Sequence, residues 1–302
     1  MEGSRGLGDV YKRQGVIIVG ADGSAVGGDG IQVVFSSQVT IRNTAIGDIF
    51  TESDGSNAIF VFGSNDVTIE NFGTIDVVGF DSHGIEISGG SGANIQNERF
   101  IFTEGDLSHG VLLANVDGYT FSQQISSDII GVSTRGTGSH AVFALGSSES
   151  SQGGFISNQA VLSTFGDYAS AINIAADPTS ISGQYSGVTV ENLLLIRTGG
   201  SAAHGISFGQ HLADQNSNGV LDEFELTPLQ SAVVLSTIEN FGDIQTSGAG
   251  AHGIFVSTPN EVTETSNIVN NHDAISVSGE RSSGIWIEGS FNNVLNLSLI
   301  HI

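Results

Sequence analysis

The densest set of hard-oxygen donors in the chain is Asp214-Gln215-Asn216-Ser217-Asn218-Gly219-Val220-Leu221-Asp222-Glu223-Phe224-Glu225. Oxygen side chains fall at loop positions 1, 3, 5, 9 and 12, with glycine at 6 and an aliphatic residue at 8. That is the spacing of a twelve-residue calcium loop. Asp214, Asn216 and Asn218 would offer side-chain oxygens and Val220 its carbonyl. Asp222 would bind directly or through water, and Glu225 would chelate with both oxygens. Gly219 permits the sharp turn. Two asparagines among the ligands lower the charge of the set, which suits millimolar extracellular calcium. The expected role is structural, ordering a long loop. The plainer alternative is a polar Asn-Gly loop with no ion. Pro228 follows closely, so the long exiting helix of an EF-hand is not expected.

Histidine is the second candidate. His83, His109, His140, His204 and His252 occupy one repeat position. Neutral imidazole is a common metal ligand, but zinc needs ligands that converge from different elements. A column rising ~4.8 Å per layer does not converge, so these rings are expected to stack as scaffold. An asparagine column is expected to do the same, its amides bonding backbone and the next amide. Gly20 to Gly30 hints at a calcium-binding nonapeptide turn, but it lacks the tandem period and reads as a flexible turn.

What positions these residues is a repeat. One pattern runs Asn57-Ala58-Ile59, His83-Gly84-Ile85, His109-Gly110-Val111, His140-Ala141-Val142, Ser170-Ala171-Ile172, His204-Gly205-Ile206, His252-Gly253-Ile254 and Ser283-Gly284-Ile285. A second, Ile/Val-x-Asn, appears at Asn43, Asn71, Asn97, Asn158, Asn192, Asn240 and Asn270, with Asp128 expected to stand in for the missing member. From Asn to the next Gly or Ala the distance is 13 residues at Asn71, Asn97, Asn158, Asn192 and Asn240. The other half-coil grows from 13 to 17, 21 and 35 residues. One half is fixed while the other accepts insertions, as expected of a solenoid whose loops leave from one side. The coils are too short for βαβ units and show no helical period. The expectation is an all-β, single-stranded parallel β-helix of about nine coils, ~40 Å long. Right-handed coiling is the preferred hand. The calcium-loop insertion spans about 209–232.

The ends read differently. Asp9-Val10-Tyr11-Lys12-Arg13-Gln14 and Leu297-Ser298-Leu299-Ile300-His301-Ile302 can be encoded by reverse-complementary codons at all six positions. Such an inverted repeat resembles the transposase end used in sequencing libraries. Residues 1–14 and 297–302 are therefore expected to be translated adapter, and 15–296 the native β-helix, cut at both ends.

The chain carries 32 acidic and 8 basic residues, a net charge of −24. Setting aside Arg5, Lys12 and Arg13 leaves only Arg42, Arg99, Arg135, Arg197 and Arg281 as cations. Nucleic acid and anionic membrane would be repelled. No cysteine is present, which removes disulfides and thiolate zinc sites. No apolar run approaches the ~20 residues of a membrane helix.

Ile69-Glu70-Asn71-Phe72-Gly73-Thr74-Ile75 and Ile238-Glu239-Asn240-Phe241-Gly242-Asp243-Ile244, each followed by a His-Gly-Ile turn, resemble autotransporter passenger domains. The resemblance implies a β-helical stalk or adhesin exported to a bacterial outer surface through a C-terminal barrel. The expectation is a non-catalytic extracellular segment on the outer-membrane surface, with a structural Ca2+ ion and a cell-surface or polysaccharide ligand. Two alternatives stand beside it. A polysaccharide lyase or hydrolase would need a groove-facing arginine beside non-repeating carboxylates, and Asp81, Asp106 and Asp167 read instead as turn residues. A phage tail-spike segment would trimerise.

Overall fold

The computed structural model describes residues 10–13, 16–19, 28–124, 130–146, 152–176, 184–223, 225–226, 228–257, 267–289, 292–298 and 300–301. These residues form strands and turns with no helix. The strands after the His-Gly turn stack in parallel, so that Ile59, Ile85, Val111, Val142, Ile172, Ile206, Ile254 and Ile285 are successive register partners. The Ile-x-Asn strands continue the same 19-stranded sheet, and a 10-stranded parallel sheet covers the third side. This is the parallel stacking of a β-solenoid. Its interior follows from alternation. In Thr68–Asn71 and Thr237–Asn240 only the Ile and the Asn are buried, because side chains in a strand point to opposite faces. The apolar columns make one continuous core from Val33 to Val277. Val10–Arg13 and Ile300–His301 also pair in parallel, with Thr40–Asn43 and Ile275–Val277. An exposed sheet edge accepts any extended backbone, so such pairing carries no sequence message.

Two assignments in the asparagine column need correction. Asn271, not Asn270, is the register partner of Asn240, and Val269 and Asn271 are buried where Ile268 is 38% exposed. Ile268 and Val269 are both apolar, so alternation alone could not say which faces inward. In the coil without an obvious member, Gln123 pairs with Asn97 and Asn158. Asp128 lies outside the described residues, as do residues 20–27 of the glycine-rich turn.

At one position of the turn, packing leaves no room for a side chain. A Cβ added to Gly105 would stand 1.8 Å from the Gly79 carbonyl oxygen, and one on Gly166 would stand 1.9 Å from that of Gly136. This second glycine column recurs coil after coil.

Candidate functional site

The histidine column is a hydrogen-bonded stack. The rings of His83 and His109 lie 5.0 Å apart, His109 and His140 5.1 Å, and His204 and His252 5.1 Å. Each Nδ1 accepts the backbone N–H of the next coil, from His109 to His83 (3.1 Å), from His140 to His109 (3.0 Å) and from Ser283 to His252 (3.0 Å). An Nδ1 that accepts must leave the proton on Nε2. Burial holds His83 and His140 neutral, lowering both to about 3. His109 and His204 are lowered by burial and then by neighbouring rings. The asparagine amides run in parallel along the interior, from Asn43 to Asn71 (2.8 Å), Asn71 to Asn97 (2.7 Å) and Asn192 to Asn240 (2.7 Å). Asn97 also donates to Gln123 (3.0 Å) and to the Arg99 carbonyl (2.8 Å). Repetition has therefore been spent on joining one coil to the next.

The insertion departs between Gly209, at φ 100°, and Ser231, whose N–H donates to the Gly209 carbonyl at 2.7 Å. Gln210–His211 and Leu229–Gln230 pair antiparallel and close its base. Within it, Glu225 is fully buried. Its Oε1 accepts the N–H groups of Gln215 (2.8 Å) and Asn216 (3.1 Å), and its Oε2 that of Asp222 (2.9 Å). Asp214 accepts from Asn218 (3.3 Å) and Gly219 (2.9 Å). The Asn216 and Asn218 side-chain nitrogens both donate to Asp222 Oδ2 at 2.9 Å, while the Asn218 oxygen accepts from Val220 N–H at 3.0 Å. Ser217 and Gly219 take positive φ, 56° and 81°. All six candidate positions thus belong to one closed turn whose side chains face each other. Among the described residues no arginine or histidine pairs with Asp214, Asp222 or Glu225, and these carboxylates do not alone converge into a metal cluster. The donor set is all oxygen and lacks a cationic partner, so it fits a hard cation only with the asparagine oxygens and the Val220 carbonyl included. Such a cation would supply the missing positive charge and fix the turn.

Sequence reasoning did not anticipate where the insertion goes. It folds back along the outside of the rod. His211 lies 5.6 Å from Phe143, centroid to centroid, and the Asn173 side chain donates to the Gln210 carbonyl at 2.8 Å. Beneath it Leu112, Phe143 and Ala175 form a second apolar cluster. This explains why the outward residues Phe143, Asn173 and Ala175 of Val142–Gly146 and Ile172–Ala176 are buried.

Between insertion and rod lies a cavity of about 520 Å³. Leu107, Leu112, Phe143, Leu145 and Leu212 give it an apolar lining, and Asp54, Asp81 and Asp214 line it with carboxyl groups. Asp81 differs from its turn neighbours. Asp54, Asp106 and Asp167 accept a backbone N–H from the next coil at 2.7–2.8 Å. Asp81 stands one residue later, at φ 48°; its N–H donates to the Asp106 carbonyl at 3.0 Å, while its carboxyl accepts no hydrogen bond among the described residues. Its contact with His83 Nε2, 3.7 Å, is no ion pair, because the imidazole is neutral. Desolvation raises the Asp81 carboxyl and the charge of Asp214 raises it further. On the adjoining strand Glu86 is pushed up to about 7, by burial first and then by Asp81.

No family model matches the chain, and no curated protein or solved structure does either.

Proposed function

We propose that the chain is a segment of a right-handed β-helix of about nine coils, serving as a non-catalytic stalk or adhesin on the outer surface of a bacterium, in the manner of an autotransporter passenger. One calcium ion, held by Asp214, Asn216, Asn218, Val220, Asp222 and Glu225, would order the insertion. The observation that carries this reading is that the repeated His and Asn side chains are engaged in coil-to-coil hydrogen bonds, leaving the single insertion as the place where chemistry is not repeated. The acidic surface supports an extracellular setting, where divalent cations are abundant. A cell-surface or polysaccharide ligand is the partner class that suits an extended rod.

Thermal melting with and without calcium tests the ion. At ten times Kd the ion should stabilise the wild type by about 1.4 kcal/mol, and Glu225→Gln should lose most of that shift. Equal shifts in the two proteins would remove calcium from the proposal. Release of new reducing or unsaturated ends from acidic or neutral polysaccharides would overturn the non-catalytic role.

A further inference from the structure

We propose that the cavity between the insertion and the rod binds a small organic cation with an apolar body. The cavity has the size of an ordinary small-ligand site. Its floor is Leu112, Phe143 and Leu145, and its rim carries Asp54, Asp81 and Asp214. Among the described residues no arginine pairs with these three carboxyls, and His211 of the insertion lines the same wall. The arginine ion pairs are made elsewhere, with Glu70 and Glu104. The two rod histidines on the wall, His83 and His109, keep their Nδ1 atoms occupied by backbone N–H groups or lie buried in the stack, so they add hydrogen-bonding surface without positive charge.

The ligand chemistry follows from those parts. An uncharged sugar would meet carboxyl groups that repel one another across the cavity and would leave that repulsion in place. An ammonium or amidinium group against Asp81 relieves it. An aromatic or aliphatic body then covers the leucines and meets the Phe143 ring, where a cation is also favoured. Asp81 suits the role because its neighbours in the turn column are already committed to backbone N–H groups and it is not.

The test is run both in calcium and in EDTA, because the ion proposed above would order the insertion that walls the cavity, and saturable binding in either buffer supports the site. Calorimetric titration compares benzamidine with benzamide, which has the same shape and no charge. Benzamidine should bind saturably, one per chain, and benzamide about tenfold more weakly or not at all. Asp81→Asn should weaken benzamidine about tenfold, and asparagine tolerates the left-handed backbone at that position. Asp54→Asn, at an exposed carboxyl, supplies a second variant should the first fold poorly, and should also weaken binding. Asp243→Asn should leave binding unchanged. Absence of saturable benzamidine binding in both buffers, equal affinity for the two probes, or full affinity retained in both cavity variants would overturn the assignment.

Discussion

Single side chains in this rod serve two coils at once, so their removal is felt on both sides. Asn97 accepts an amide hydrogen from Asn71 and donates to Gln123 and to the Arg99 carbonyl. Asn97→Ala should therefore cost about 1–3 kcal/mol by stranding buried partners, read as a lower denaturant midpoint. A change below about 0.5 kcal/mol would show that the ladder relaxes around the gap. Glycine at the turn acts by absence. Gly166→Ala would drive a methyl against the Gly136 carbonyl and should cost about 3 kcal/mol. Gly55→Asp makes the useful contrast, because it has open space around it and a left-handed φ of 64°, the same turn position that Asp81 fills one coil later. That change should cost under ~1 kcal/mol. Comparable losses for the two variants would mean that conformation, not crowding, fixes the turn.

At the level of strands, the sequence was legible wherever the coil had no insertion and alternation was clean. Ile69-Glu70-Asn71 and Ile95-Gln96-Asn97 declare both face and register, because only the apolar and amide positions can be buried. Legibility failed for a physical reason at each miss. Ile268 and Val269 are equally fit to face inward, so the strand there was read one residue out of register. Gln123 performs the work of an asparagine with one more methylene, so residue type alone does not mark it as a member of the column. The glycine column is hidden in the sequence because glycines are common throughout the chain, and only the backbone spacing shows which of them are obligatory. The twelve-residue oxygen pattern was visible because its donors are local. The cavity was not, because Asp54, Asp81, Leu112, Phe143 and Leu212 come from separate strands and turns that meet only when the insertion folds back.

For the molecule as a whole, the neutral histidine stack sets the response to acid. The unfolded chain takes up protons near pH 6.5, whereas His83 and His140 resist protonation down to about 3 and His109 and His204 are likewise lowered. Stability from these rings is complete above about pH 6.5 and is lost as pH falls toward 3. The slope is about 1.4 kcal/mol per pH unit for each fully buried ring. Glu86, raised to about 7, works in the opposite sense between pH 7 and its ordinary 4.5, and Asp29, Asp76 and Asp81, also raised by burial, act in the same sense as Glu86 at lower pH. Four rings outweigh one glutamate, so melting temperature should fall between pH 7.5 and 5. His109→Ser should flatten that fall, since Ser170 already occupies the same position and accepts the His204 N–H; an unchanged slope would exclude the stack as its origin. The fold-back of the insertion has a further consequence. In a pile of layers each held only by its two neighbours, peeling at a tip can run inward one layer at a time. A clasp anchored beside Gly209 that meets Asn173 in the adjacent layer and Phe143 in the layer beyond it joins layers that are not direct neighbours. Peeling that arrives there must release several layers together, so the middle of the rod is where unravelling from either tip would stall.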